Sequence, residues 1–570
     1  MGRKKTFRIV LIKPSHYDDD GYVIQWVKSI VPANSLAVIY GLCLDVDERK
    51  VLGDDVDIVI SAFDETNTRV PVKQIIADIQ RADGGGFVGF AGVQSNQFPR
   101  SMDLARQFRA AGIQVCIGGF HVSGCSAMLP ELPPDIQEAQ QLGISLFIGE
   151  AEGRMDEVIS DAFAGKMKPV YNYLTALPSI ESAPPPFLPA ALLKRSMNSG
   201  TSFDAGRGCP FICSFCTIIN VQGRKSRRRS VQDIEKTIRR NAEQGIRYFF
   251  ITDDNFARNR DWEAIFDRLI DMRENEGVDI RLTLQVDTMC HRIKGFVEKA
   301  ARAGTLQVFI GLEAINPSNL KAAHKGQNHI REYRKLMQAW RNAGVITCAG
   351  YILGFPGDNK ASILRDIRTI QKELPVDILE FFFLTPLPGS EDHKVLVKQG
   401  VTMDTDMNRY DLNHVTTAHD SMSKQAWEEA YQAAWDAYFS TAHITTIMKR
   451  AYAGRIGISK VMFMTWWFYY CIKYEGVHPL EGGYFRKKYR KDRRPGLPIE
   501  NPLIFYPKRL AEIAYKHTKM AALHFRFEKV KKEIFNDPAS PDYSDDSLAP
   551  VQEREIEEQK LLVSATAGES

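Results

Sequence analysis

The 570-residue chain is short of several things, and each shortage excludes a class of protein. It has no run of eighteen apolar residues, so a spanning helix is not expected. The nearest stretch, 456–472, is interrupted by Lys460. No apolar segment follows the basic start MGRKKTF, so no secretory leader is read there and a cytoplasmic location is expected. Cysteine is scarce and odd in number, nine in all, which argues against a disulfide framework. Excess charge is also lacking: the formal net charge of +4 gives no reason to expect nucleic acid. Hydrophobic content of 44% and charged content of 25% fit a globular chain with an ordinary core.

What is present is a repeated alternation. FRIVLI (7–12), VDIVIS (56–61), FVGFAGV (87–93), IQVCIGG (113–119) and ISLFIGE (144–150) read as buried strands, with helical stretches between several of them. The reading is α/β, with a doubly wound parallel sheet over residues 1–165. Ligands of such sheets sit beyond the carboxyl ends of the strands. Those ends carry Gln94 and Ser95, then Gly118, Gly119 and His121, then Gly149, Glu150 and Glu152. A Pro-, Ala- and Ser-rich linker follows at 166–200. A second series over 201–392 has six strand candidates: 201–206, 248–252, 281–286, 307–313, 345–353 and 378–384. These suggest a partial (β/α)6, TIM-like barrel. Residues 393–535 read as a mainly helical, aromatic and basic C-terminal region, and 536–570 as a disordered acidic tail.

The strongest signal is GRGCPFICSFCTI (206–218), which places Cys209, Cys213 and Cys216 in C-x3-C-x2-C spacing just after the first barrel strand. Soft thiolates suit iron–sulfur or zinc. Structural zinc takes four ligands, and no obvious fourth Cys or His lies near in sequence. Three thiolates on a four-iron cluster leave one iron open to a small molecule. A zinc site and a purely structural cluster remain as alternatives.

With these residues in place the chain resembles the radical S-adenosylmethionine (SAM) superfamily over roughly 200–390. The resemblance implies a [4Fe–4S] cluster on the three cysteines. It also implies reductive cleavage of SAM to a 5′-deoxyadenosyl radical, with an external electron donor of flavodoxin or ferredoxin type. The family pattern marks Phe215 and, in ITDDNF (251–256), Asp253, Asp254 and Asn255 as SAM-binding. It marks Glu313 in GLEAIN (311–316) and Gly354 in GYILGFPG (350–357) likewise.

The phrases VQSNQF (93–98), GGFHVSG (118–124) and FIGEAEG (147–153) make the first domain similar to the cobalamin-binding domain of B12-dependent radical SAM enzymes. That resemblance implies cobalamin contacts from Gln94, Ser95, Gly118, Gly119, His121, Gly149, Glu150 and Glu152. The D-x-H-x-x-G motif that supplies a lower cobalt ligand in many B12 proteins is absent, and neither His121 nor His16 is read as its replacement. The expected activity is methyl transfer to an unactivated carbon of a small-molecule or lipid-like substrate, through methylcobalamin and the deoxyadenosyl radical. Cyclisation, rearrangement or oxidation without methyl transfer is a second reading. A non-catalytic cobalamin or redox sensor is a third.

Two further stretches carry expectations. GRKSRRRS (223–230) reads as a solvated basic loop entering a helix. The aromatic and basic residues of 460–496 suit peripheral contact with the inner face of a membrane, or else a helix packed on the barrel.

Overall fold

Central strands of a parallel sheet are covered by helices on both faces, so their sequences are apolar throughout. The computed structural model, which describes residues 4–30, 33–325 and 328–551, realises this twice. The first sheet contains β1 (Lys5–Lys13), β2 (Val56–Asp64), β3 (Gly86–Phe90), β4 (Gln114–Gly118), β5 (Ser145–Ile148) and β6 (Val170–Asn172). Its order is β2-β1-β3-β4-β5-β6, parallel throughout. The order reverses between β1 and β3, the kind of switch point at which open sheets bind ligands.

The second sheet contains β7 (Thr201–Phe203), β8 (Tyr248–Ile251), β9 (Arg281–Val286), β10 (Thr305–Glu313), β11 (Ile346–Leu353) and β12 (Ile378–Phe383). Neighbours in sequence are neighbours in space and every pair is parallel. Among the described residues β7 and β12 do not pair with each other, so this is the open, six-stranded barrel the alternation implies. The intervening helices follow local rules. Ser230 caps Val231–Glu243 by accepting from the Asp233 amide, while Asp233 accepts in return from the Ser230 amide. Ile234 and Ile238, four apart, face the core.

The C-terminal region is helical: Lys424–Tyr438, Thr441–Ala453, Ile458–Tyr470 and Pro502–Asn536. It returns to the first domain through the strand Gly483–Lys487, which pairs antiparallel with Gln25–Ser29. A single apolar core joins the inner face of the first sheet, the barrel and these helices. Ile458–Tyr470 is an interior helix, with Val461, Trp467, Phe468 and Tyr470 buried. The aromatic half of 460–496 therefore packs inside the molecule.

Two expectations are corrected here. Residues 537–551 are not a disordered tail: Ser540 and Ser547 are buried, Arg450 pairs with Asp545 at 2.8 Å, and Gln338 donates to the carbonyls of Ser547 and Ala549. The rest of the expected tail, 552–570, lies outside the described residues. The basic run 223–230 is a solvated loop only at its start, where Arg224 and Lys225 are exposed. Arg227 pairs with Glu150, Arg228 with Asp261, and the fully buried Arg229 donates to the Asp204 carbonyl at 3.0 Å.

Candidate functional site at the facing ends of two sheets

The carboxyl ends of both sheets open onto one cavity of about 370 Å³. The first domain contributes five glycines, Gly89, Gly92, Gly118, Gly119 and Gly149, beside apolar side chains that include Phe87, Val38 and Phe147. Gly119 has φ +149°, and a Cβ there would lie 2.1 Å from the Val93 amide nitrogen, so only glycine fits this turn. The barrel contributes Asp204, Gly206, Arg207, Thr252 and Asp254 from the ends of its first two strands.

An ion-pair network joins the two halves. Arg207 reaches Glu150 at 2.7 Å, Glu152 at 2.6 Å and Asp204 at 3.2 Å, and Arg227 also pairs with Glu150. All of these side chains are buried or nearly so. Glu150 and Glu152 thus tie the first domain to the loop that carries the cysteines, rather than capping the helix that follows them. That helix, Met155–Phe163, takes its acidic first turn from Asp156 and Glu157.

The cysteine loop leaves β7 through Gly208, whose φ of +90° and whose closeness to the Lys225 carbonyl (2.6 Å from a built Cβ) leave room for glycine alone. Cys209, Cys213 and Cys216 are half-buried, whereas the other six cysteines are buried. Burial pushes the Cys209 thiol up to about 11 and the Cys216 thiol up to about 12, and each neighbouring thiolate adds to the rise. Three thiols on one short loop suit a cationic centre that takes their protons' place. The loop is pinned by the Ser214 amide donating to the Ala323 carbonyl at 3.2 Å.

Beside this loop lies a pair that the sequence reading half missed. Lys325 forms a buried ion pair with Glu313, and its ammonium stands 5.6 Å over the Phe215 ring. Burial opposes the Lys325 charge, but Glu313 and the thiols of Cys213 and Cys216 outweigh it and hold the lysine above its ordinary value. Glu313 occupies strained backbone. The β10–β11 register shifts between Gly311 and Glu313, the Glu313 φ is +64°, and the Ala314 amide closes a tight turn onto the Leu312 carbonyl at 2.8 Å. Such strain in a non-glycine residue persists where the surroundings enforce it. Here Asn328 does so, by donating to the Leu312 carbonyl at 2.8 Å.

The remaining sequence candidates separate. Asp254 lines the cavity, and burial pushes its carboxyl up to about 7. Asp253 is committed to the chain itself, accepting from the Ala205 amide at 2.6 Å. Asn255 is bonded to Asp287 at 2.8 Å. Gly354 leaves room for Trp427, whose ring lies 1.8 Å from a built Cβ. Gln94 lines the cavity, but Ser95 and His121 do not. The His121 ring nitrogens are taken by Ser95 at 3.1 Å and Asp135 at 3.0 Å, and its ring packs on Phe98. His16 is buried against Glu481 at 3.0 Å. Among the described residues no histidine lines the cavity.

Comparison with known proteins agrees with this arrangement. Residues 204–370 match the radical SAM superfamily. The chain is 27% identical over 320 residues to bacteriochlorophyllide d C-12(1)-methyltransferase of Chlorobaculum tepidum, covering 54% of this chain and 64% of that one. It is 26% identical over 395 residues to hopanoid C-2 methylase of Rhodopseudomonas palustris, covering 66% and 70%. Among solved structures, the fold matches the radical SAM methyltransferase TsrM of Kitasatospora setae, solved with cobalamin and a [4Fe–4S] cluster. That match has a TM-score of 0.58 and 14% identity, over 82% of this chain and 99% of that one. The family match places a radical SAM domain over the barrel. The two-sheet fold is shared also with the cobalamin-dependent S-adenosylmethionine radical enzyme OxsB, at TM-score 0.53 and 14% identity, over 93% of this chain and 84% of that one.

Proposed function

We propose that the chain is a cobalamin-dependent radical SAM enzyme that methylates a carbon of an apolar small molecule. The observation that carries this reading is the cavity between the two sheets, with glycine turns on one side and, on the other, Arg207 and Ile218, which flank the cysteine loop. Glycine turns beside apolar side chains suit a broad, flat ring system, and the thiol triad suits an iron–sulfur cluster with one uncommitted iron. When bound, the cluster supplies an electron to SAM and the corrinoid carries a methyl group.

The residues then have separable tasks. Cys209, Cys213 and Cys216 hold the cluster. Lys325 and Glu313 offer one positive and one negative group beside it, matched to the carboxylate and ammonium of an amino acid. Asp254, whose carboxyl burial pushes up to about 7, faces the cavity. The glycine turns and Gln94 would hold the corrinoid ring. Among the described residues no histidine lines the cavity, so a corrinoid bound there would meet no imidazole from the lining. An apolar substrate is preferred because the relatives that lend the reading are named for bacteriochlorophyllides and hopanoids. Electrons come from an external donor of flavodoxin or ferredoxin type.

The test is anaerobic reconstitution of the full chain with iron, sulfide and hydroxocobalamin. One corrinoid and four irons per chain are expected. With reductant and SAM, the products expected are 5′-deoxyadenosine and S-adenosylhomocysteine. Cys213→Ala should lower SAM cleavage by at least about 100-fold, as loss of a metal ligand does. Protein that binds iron but no corrinoid would overturn the cobalamin part. Formation of 5′-deoxyadenosine without S-adenosylhomocysteine would overturn methyl transfer.

A further inference from the structure

The C-terminal helix Pro502–Asn536 begins with a turn that is inside out. Its buried anchor is Phe505, 5% exposed and packed on Tyr22 at 5.7 Å between ring centres. With Phe505 turned inward, Leu503 is 83% exposed, Ile504 63% and Tyr506 57%. Leu510 continues the Leu503–Tyr506 stripe one turn later, and Ile499 and Leu497 extend it into the preceding loop. Scattered exposed leucines are ordinary, but six large apolar residues within fourteen positions form a patch.

The rim of this patch is cationic. Residues 484–510 contain nine Lys and Arg against two Asp and Glu. Some of these are internally neutralised, as Arg486 is by Asp18 and Arg494 by Asp406. Among the described residues Arg490, Lys491, Arg493 and Lys508 have no carboxylate within ion-pair distance. Two of these four bracket the apolar tip. Arg490 donates to the Glu500 carbonyl at 2.8 Å and Arg493 to the Pro498 carbonyl at 2.6 Å, on either side of Ile499.

We infer that this turn is a docking surface for an anionic lipid bilayer, with the apolar residues inserted among the acyl chains and the four cations at headgroup depth. A neutral apolar protein face would leave those cations uncompensated, whereas an anionic bilayer offers both an apolar interior and a negative rim. No helix among the described residues is long and apolar enough to cross a membrane. The proposed contact lies at 490–510, and so takes in only the basic end of the stretch 460–496 that the sequence suggests.

The test is flotation of the reconstituted full chain with vesicles of phosphatidylcholine alone or mixed with phosphatidylglycerol. Binding to the mixed vesicles only is expected, weakening with salt. Leu503→Glu with Leu510→Glu should reduce binding at least about tenfold, and Lys491→Glu with Lys508→Glu should remove its salt dependence. SAM cleavage should be unchanged in both variants. Absence of binding to phosphatidylglycerol vesicles at low salt would overturn the inference. So would a dimer that the leucine variant converts to monomer without any vesicle binding, since the patch would then belong to a second copy of the chain. Either outcome leaves the cofactor reading intact, because iron and corrinoid contents are measured separately.

Discussion

The two walls of the central cavity are built on opposite principles. On the first-domain side the wall is made by omission: glycines at β3, β4 and β5 let backbone face the cavity, and an added methyl at Gly119 strikes the Val93 backbone. On the barrel side it is made by chemistry: Asp254 and an arginine, Arg207, surrounded by three carboxylates, with the thiols and the lysine–glutamate pair outside the lining on and beside the loop that follows Arg207. One wall should therefore be harmed by adding atoms and the other by removing them. The arginine belongs to both, because it is the point where the walls are fastened together.

The largest expected effect follows from that fastening. Glu152 is 2% exposed and has Arg207 as its ion-pair partner, while Glu150 is shared with Arg227. Arg207→Ala strands Glu152 as a buried charge and should cost about 3–5 kcal/mol of stability, read by chemical denaturation. Adding Glu152→Gln to that variant should recover a large part of the loss. If the single variant is as stable as the parent, the two walls are not held by this pair and the comparison fails.

A smaller effect separates the walls. Gly119→Ala meets a backbone atom that cannot step aside, and it sits at a φ alanine avoids. It should cost about 1–3 kcal/mol and lower corrinoid uptake while leaving the iron content of the cysteine loop unchanged. Parallel loss of iron and corrinoid would mean that the two walls are one cooperative unit.

How much of this was legible beforehand follows the same division. Glycines and cysteines announce themselves, because their spacing encodes a turn or a ligand set without reference to the rest of the chain. The strand runs were legible for the same reason, since burial on both faces leaves a purely local apolar signature. Partnership between distant residues is not local. Nothing in the sequence near Glu150 says that its partners are Arg207 and Arg227, so GEAEG reads as a helix start and GRKSRRRS as a solvated loop. Lys325 follows Glu313 by twelve residues, and only the strained turn after β10 brings them together. His121 shows the converse error. It sits in a phrase that resembles a cofactor turn, yet Ser95 and Asp135 occupy both of its nitrogens. Residues 537–551 are polar enough to read as disordered, but Asp545 finds the buried Arg450.

The smallest effect asks whether the barrel wall's reliance on chemistry extends below the cavity. Glu380 lies on β12, is 2% exposed, and its Oε2 has no hydrogen-bond partner. Burial pushes its carboxyl up to about 8. An acid raised in the folded state binds its proton more tightly there than in the unfolded chain. Its contribution to stability is therefore complete below the ordinary glutamate range, near pH 4, and is lost as the pH climbs toward 8. Glu380→Gln keeps the shape and removes the ionisation. The variant should match the parent near pH 5 and exceed it at pH 8.5 by on the order of 2 kcal/mol, with a flatter stability profile between. Denaturation curves at the two pH values decide it. Equal pH profiles for parent and variant would mean that Glu380 is solvated in the folded barrel, and that the titrating chemistry stops at the cavity rim.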